Sequence, residues 1–332
     1  MSEEAIVSIA ERFGIKVRGI IKIRNGIYRV NTSKGKSYSL KRMSKRLSRL
    51  RWIDRVLLRV RNSGPRLAWR NPQTSEGRKP YVFSNKGDPY VLTRWISGRI
   101  PSPRSLSDMR SCGVALARFH VAGRAALKGK FANSMIGTWH STFINRHRDL
   151  QRKIAKAKRN GYSPPISRFL QQHGLEVLHY SNQARALLRN SGYRSYCNRA
   201  LQTGVLTHGD GGPSNFILNA EGTHLIDFET LCVDLRAYDL YRVIFNSCKD
   251  YHWDFAIAKA ILNGYRQVAK IRKTDYDLIQ VWLRFPQTTC LVLSSSDRFP
   301  LNKSWLQWAL ASERRIGSFL QQLHKYASRH SS

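Results

Sequence analysis

The stretch His208-Gly-Asp210-Gly-Gly-Pro-Ser-Asn215, with Ile226-Asp227-Phe228-Glu229 behind it, carries two carboxylates and an amide at the spacing that phosphoryl transfer from a nucleotide requires. One carboxylate must orient or accept the proton of the attacking hydroxyl, and Asp210 is the candidate. An amide oxygen and a second carboxylate must hold the magnesium that neutralises the phosphates. Asn215 and Asp227 are the candidates, because Mg2+ is a hard cation that prefers oxygen ligands. Each residue also has a plain structural alternative: an Asx turn for Asp210, a turn amide for Asn215, a strand-end cap for Asp227. The spacing of all three together favours the chemical roles.

The surrounding charge sharpens this. Between His208 and Leu240 stand six acids (Asp210, Glu221, Asp227, Glu229, Asp234, Asp239) and one base, Arg236, in a chain of 57 Lys+Arg against 21 Asp+Glu. A local reversal of sign of that size reads as a cation site. The formal charge of +36 admits two readings. One is attraction to a polyanion (nucleic acid, an anionic membrane or an anionic assembly), and the other is a solvated basic surface. Five scattered cysteines without C-x-x-C spacing read as free thiols in a reducing compartment. No apolar run reaches the length of a membrane span and the first residues do not resemble a signal peptide, so a cytoplasmic protein is expected.

The elements that must position these groups fall into two sets. Residues 3–13 read as a short helix. Strands follow at 20–23, 27–30 and 37–41, separated by Asn25-Gly26 and Lys34-Gly35 turns. Leu47, Leu50, Ile53, Leu57 and Val60 recur at helical spacing over 45–62, and Gly64-Pro65 ends that helix. Further strands are expected at 81–83 and 90–95. Beyond Gly98 the pattern turns helical: 105–122, 138–159, 165–191 and most of 236–327, with a loop near 294–300. Short strands at 205–207 and 225–226 flank the acidic segment. The division is a β-rich region over 1–95 and a mostly helical region over 96–332, an α+β bilobal plan.

Tyr38-Ser-Leu-Lys41-Arg, Leu92-Thr-Arg-Trp-Ile-Ser-Gly98, Leu116-Ala-Arg-Phe-His120, the His208–Asn215 loop and Ile226-Asp227-Phe-Glu, with Asp234 and Asp239 beyond, together resemble the aminoglycoside phosphotransferase and choline kinase superfamily. Within it the chain is most similar to spore-coat CotS-type kinase-like proteins. The resemblance spans about residues 15–270 and implies a protein-kinase-like fold and the use of ATP and Mg2+. It implies that Lys41 neutralises the nucleotide α/β phosphates and pairs with a helix carboxylate. Asp54 is the only acid between residues 44 and 75, so it is the expected partner. Adenine would sit at the connector near Arg94–Ile96, bound mainly by backbone groups, with Trp95 and Ile96 as the candidates. His208 would brace the loop, and Asp239 would fix it through backbone hydrogen bonds. Glu229 and Asp234 either support the metal or face solvent.

Gly35-Lys36-Ser37 lacks the first Gly of a Walker A loop and no G-x-G-x-x-G occurs, which excludes both classical glycine-rich nucleotide fingerprints. The turn Arg24-Asn-Gly26 is a phosphate-loop candidate or an ordinary hairpin. The segment 146–159 reads as a basic helical stripe, a solvated face or else a site for a phosphate-rich polymer or substrate, and Trp282, Trp305 and Trp308 are expected to pack the helical region. The leading expectation is an ATP- and magnesium-dependent kinase acting on a hydroxyl acceptor. A non-catalytic structural protein of a spore coat, or a nucleic-acid binder, is the alternative.

Overall fold

The computed structural model describes residues 2–44, 46–63, 79–127, 133–199, 204–295 and 302–330. Its first part is one five-stranded antiparallel sheet of order β1-β2-β3-β5-β4, built from β1 (Val17–Arg24), β2 (Ile27–Thr32), β3 (Ser37–Arg42), β4 (Val82–Phe83) and β5 (Pro89–Arg94). The Asn25-Gly26 turn joins β1 to β2, with Gly26 in the left-handed region that a two-residue hairpin favours. Side chains alternate across the pleat. Val30, Leu40, Tyr90 and Leu92 bury one face under helix α1 (Glu3–Glu11), which contributes Ile6, Ile9 and Ala10. Lys41, the next residue on β3, therefore points from the opposite face.

That opposite face meets α2 (Leu47–Ser63), whose Leu50 packs with Tyr81 and Val91. The rest of its apolar stripe (Ile53, Val56, Leu57, Val60) belongs to the core of the helical part. One amphipathic helix thus joins the sheet to everything that follows. Its expected end at Gly64-Pro65 and its expected start at residue 45 lie outside the described residues, as do most of 294–300.

The helical part comprises α3 (Leu106–Ala126), α4 (Trp139–Lys158), α5 (Pro164–Asn190), α6 (Tyr193–Asn198), α7 (Arg236–Cys248), α8 (Phe255–Arg266), α9 (Lys273–Arg284), α10 (Gln287–Ser295) and α11 (Lys303–His330). The stripe Met109, Cys112, Leu116, Phe119 of α3 is buried, as its spacing predicts. Helices α3 and α8 cross closely at a glycine pair: a Cβ on Gly113 would strike the Ile261 carbonyl, and one on Gly264 the Arg110 carbonyl. Trp282 is buried and Trp308 packs against the core. Trp305 departs from expectation: it is 56% exposed, because its turn of α11 lies at the surface.

Between α6 and α7 run two small antiparallel pairs, β6 (Gly204–Thr207) with β9 (Cys232–Leu235) and β7 (Phe216–Asn219) with β8 (Gly222–Leu225). The strand expected at 225–226 is this β8, ending at Leu225. Strand β9 gave no sequence signal, because it is only four residues long and its one acid, Asp234, is buried with the rest. All five cysteines are free thiols. Among the described residues, no helix is long and apolar enough to cross a membrane.

Candidate active site

Register brings the two acidic loops together. Thr207 at the end of β6 pairs with Cys232 at the start of β9, so the His208 loop begins where the Asp227 loop ends. Phe216 at the start of β7 pairs with Leu225 at the end of β8, and the Ile226 N–H then donates to the Asn215 carbonyl at 3.0 Å. Both loops are therefore clamped at both ends on one side of the two pairs.

A buried carboxylate on α7 holds the first loop. Asp239 accepts the backbone N–H of His208 at 2.6 Å and of Gly209 at 2.8 Å, and also the Nε2–H of His120 at 3.0 Å. Burial alone would push this carboxyl up. The hydrogen bond and charge of His120, with His208 and the Gly209 N–H, outweigh it and hold the group below the usual carboxylate range. Asp239 thus fixes the loop through backbone bonds, as expected. His208 donates through Nε2 to the Ile226 carbonyl at 2.7 Å, while the Asp210 N–H approaches its Nδ1 at 3.4 Å. Both ring nitrogens are committed, so His208 braces one loop against the other.

Gly209 has a specific cause. Its φ is +82°, and a Cβ there would lie 2.6 Å from the Thr230 carbonyl. Any side chain would meet both left-handed strain and a backbone clash. Asp227 also adopts left-handed geometry (φ 66°, ψ 64°), which is uncommon for a residue other than glycine and accompanies the turn into the short helical segment Phe228–Thr230.

Lys41 reaches this second loop from the sheet. Its Nζ lies 2.8 and 2.9 Å from the two oxygens of Asp227 and 2.6 Å from Oε1 of Glu229. Arg24, next to the β1–β2 turn, stands 3.9 Å from the same Asp227. Arg49 of α2 donates to the carbonyls of Glu229 at 2.8 Å and Leu231 at 3.0 Å, tying the helix to the loop. The expected Lys41–Asp54 pair is not formed. Asp54 sits on the buried side of α2, beside Ile53, and the carboxylate partners of Lys41 are Asp227 and Glu229. The loop acids come within reach of Lys41 while Arg49 of α2 holds their loop through the Glu229 and Leu231 carbonyls.

Asp210, with its side chain 48% exposed, pairs with the guanidinium of Arg242, one turn beyond Asp239 on α7. Asn215 donates Nδ2 to the Asp210 carbonyl at 2.7 Å, which leaves its Oδ1 as a free oxygen donor. Among the described residues no three His, Cys, Asp or Glu side chains gather as a metal cage. One amide oxygen and one carboxylate fit Mg2+ nonetheless, since that ion keeps waters and takes further oxygens from nucleotide phosphates.

Asp234 neither approaches the metal candidates nor faces solvent. It is fully buried behind them, accepting Trp139 Nε1–H at 3.0 Å and Leu235 N–H at 2.8 Å, and burial pushes its carboxyl up to about 7. At the connector, Trp95 donates its N–H to the Ser37 carbonyl at 2.9 Å, and the Arg29 guanidinium lies 5.1 Å from its ring centre. Trp95 and Ile96 are both half-buried where the chain leaves β5. Arg49 and Arg242 escaped sequence reasoning. Only Arg242 left a signal, three residues after Asp239 and so on the same helix face.

A sheet part and a helical part with acidic loops at their junction define a protein-kinase-like bilobal fold. A model of the phosphotransferase enzyme family matches residues 21–279. The chain belongs to that family and is a phosphotransferase. It is similar to a homoserine kinase of Rhodopseudomonas palustris, 25% identical over 278 residues that cover 81% of this chain and 76% of that one. A homoserine kinase of Beijerinckia indica is 28% identical over 221 residues, covering 64% of this chain and 60% of the relative. An aminoglycoside phosphotransferase from Alicyclobacillus acidocaldarius has the same fold, with a TM-score of 0.81 at 23% identity over 97% of this chain and 96% of that one. A spectinomycin phosphotransferase solved with ADP and spectinomycin superposes with a TM-score of 0.61 at 13% identity, covering 98% and 99% of the two chains. At these identities the likeness to solved structures concerns the fold.

Proposed function

We propose that this chain transfers the terminal phosphoryl group of ATP to the hydroxyl of a small metabolite. The region 1–95 serves as the nucleotide lobe and 96–332 as the catalytic and acceptor lobe. The observation that carries the reading is the convergence of Lys41 and Asp227, 186 positions apart, beside a loop whose Asp210 and Asn215 are themselves linked. Asp210 orients the acceptor hydroxyl and takes its proton as the bond to phosphorus forms. In a loose transition state its placement counts for more than its basicity. Lys41, helped by Arg24, neutralises phosphate oxygens from the sheet side. Asn215 and Asp227 hold magnesium, which when bound screens the phosphate charge. Adenine recognition falls to the connector, through the Trp95 carbonyl and the Ile96 backbone, since the Trp95 N–H is already committed to Ser37.

The homoserine kinases among the relatives, and the engagement of Asp210 itself by the guanidinium of Arg242, favour a hydroxyl acceptor that is not polycationic. A thermal-shift titration with ATP and Mg2+, compared with Asp227→Ala, tests the nucleotide site. An acceptor screen with Asp210→Asn as control tests the chemistry. Phosphate transfer equal in Asp210→Asn and the unmodified chain would overturn the assignment.

The charge supports a second reading, a spore-coat role in which the same scaffold docks on an anionic assembly. Arg148, Arg152 and Lys156 stand exposed one turn apart on α4, as a docking stripe would require. Retention on an anionic resin that falls steeply with salt and survives Asp210→Asn is its signature.

A further inference from the structure

Arg242 is only 17% exposed, and its bond to Asp210 satisfies one arm of the guanidinium. Its Nε is buried and has no hydrogen-bond acceptor. A guanidinium placed in that way is costly unless more of its donors are answered. Arg242 lines a cavity of about 30 Å³ that Trp139, Tyr238 and Trp282 wall. That is room for one or two waters or a small ligand group. The walls are mutually packed: Trp139 lies 4.7 Å from Tyr238 and 5.2 Å from Trp282, centre to centre, so the slot is held open by ring against ring. Its polar lining is Arg146, Arg242, Gln287 and the tyrosines Tyr238 and Tyr241, with Arg146 donating to Gln287 Oε1 at 2.9 Å. Among the described residues no carboxylate lines it.

An aromatic slot alone would suit an ammonium group. Two guanidiniums at this one repel such a cation and select an anion. A planar, two-oxygen group matches the paired N–H donors of an arginine, here its Nη groups, since the Nε is sealed from solvent. We propose that Arg242 is the specificity-determining residue for the acceptor, and that it reads a carboxylate on the same small molecule whose hydroxyl lies at Asp210. The inference rests on the phosphotransferase reading for the hydroxyl and on the slot alone for the carboxylate. Helix α7 carries both ends of the device: Asp239 fixes the loop bearing Asp210, and Arg242 on the next turn sets where the acceptor's anionic end must lie.

The test uses the full chain with L-homoserine, 4-hydroxybutyrate and 3-aminopropan-1-ol, the last lacking the carboxylate. Trp139 and Trp282 report slot binding through tryptophan fluorescence without any turnover. Saturable quenching by the two carboxylates and none by the amino alcohol is expected, with Arg242→Met weakening the carboxylates by about 30-fold or more. Where turnover is measurable, Arg242→Met collapses the kcat/KM preference for homoserine over 3-aminopropan-1-ol, largely through KM. If Arg242→Met fails to fold, Arg242→Lys carries the same test, since it keeps the charge but loses the fork, with a loss of roughly tenfold. Equal binding of the amino alcohol and the acids by the unmodified chain would overturn the proposal. So would a loss in the variants that is the same for both classes, which would leave Arg242 as a support for Asp210. Quenching that follows this pattern without transfer to any acceptor supports the carboxylate site and counts against the phosphotransferase reading alone.

Discussion

Lys41 Nζ lies 2.8 Å from one oxygen of Asp227 and 2.9 Å from the other, joining the third strand of the sheet to a loop of the helical part. The pair is part-exposed, so screening limits its worth to stability. Its value lies in placement: one ammonium from the sheet meets both carboxylates of the loop, Asp227 and Glu229.

Lys41→Met is therefore expected to leave the melting temperature nearly unchanged, with a loss below about 1 kcal/mol. The extra stabilisation given by ATP with Mg2+ should fall sharply. Differential scanning fluorimetry with and without nucleotide measures both. A large loss of intrinsic stability with normal nucleotide response would contradict the placement.

Asp210→Asn keeps the size of the side chain and removes the charge. Turnover should fall by about 10²–10⁴-fold, the usual contribution of a positioned general base. Nucleotide binding should persist, since Lys41, Asn215 and Asp227 are untouched. Single-turnover kinetics paired with a nucleotide thermal shift separate the two effects.

Asp239 predicts the opposite profile. It is wholly buried and answers two backbone N–H groups and His120. Asp239→Ala orphans all three donors and should cost about 3–5 kcal/mol. Chemical denaturation reads that loss directly. Activity would fall as well, because the His208 loop loses its post, but a variant as stable as the parent would show that the loop is held elsewhere.

Glu313 on α11 gives a pH dependence. It is fully buried and its Oε2 has no partner, and burial pushes its carboxyl up to about 8 from an ordinary 4.5. Between those values the folded chain keeps a proton that the unfolded chain has released. Stability from this group is thus lost as pH rises from 4.5 through about 8. Glu313→Gln removes that dependence, so the variant should gain a few degrees in melting temperature relative to the parent between pH 5 and 9. A constant difference across that range would sink the assignment.

The hairpins of the sheet, the amphipathic stripe of α2 and the contents of both acidic loops are local properties. Alternation, helical spacing, Asn-Gly turns and the Asp210–Asn215 interval each depend on neighbours along the chain, and all of them were legible in the sequence. The role of Asp239 was legible too, because an acid opening a helix just after the loop strands has few other places to go. Partner choice was not. Whether Lys41 meets Asp54 or Asp227 depends on how far α2 carries its acid from the cleft, and that is a packing outcome. Asp234 and Glu229 are equivalent as letters. The pairing of β9, whose four residues are all buried, turns Asp234 inward against Trp139 and leaves Glu229 at the cleft beside Lys41. Arg242 gains its meaning from Trp139 and Trp282, rings that arrive from distant helices. The sequence by itself determined which groups can be proposed for phosphoryl transfer and which local elements carry them. Only the tertiary structure decided which charge answers which, because ion pairing acts over a few ångströms in space and is blind to separation along the chain.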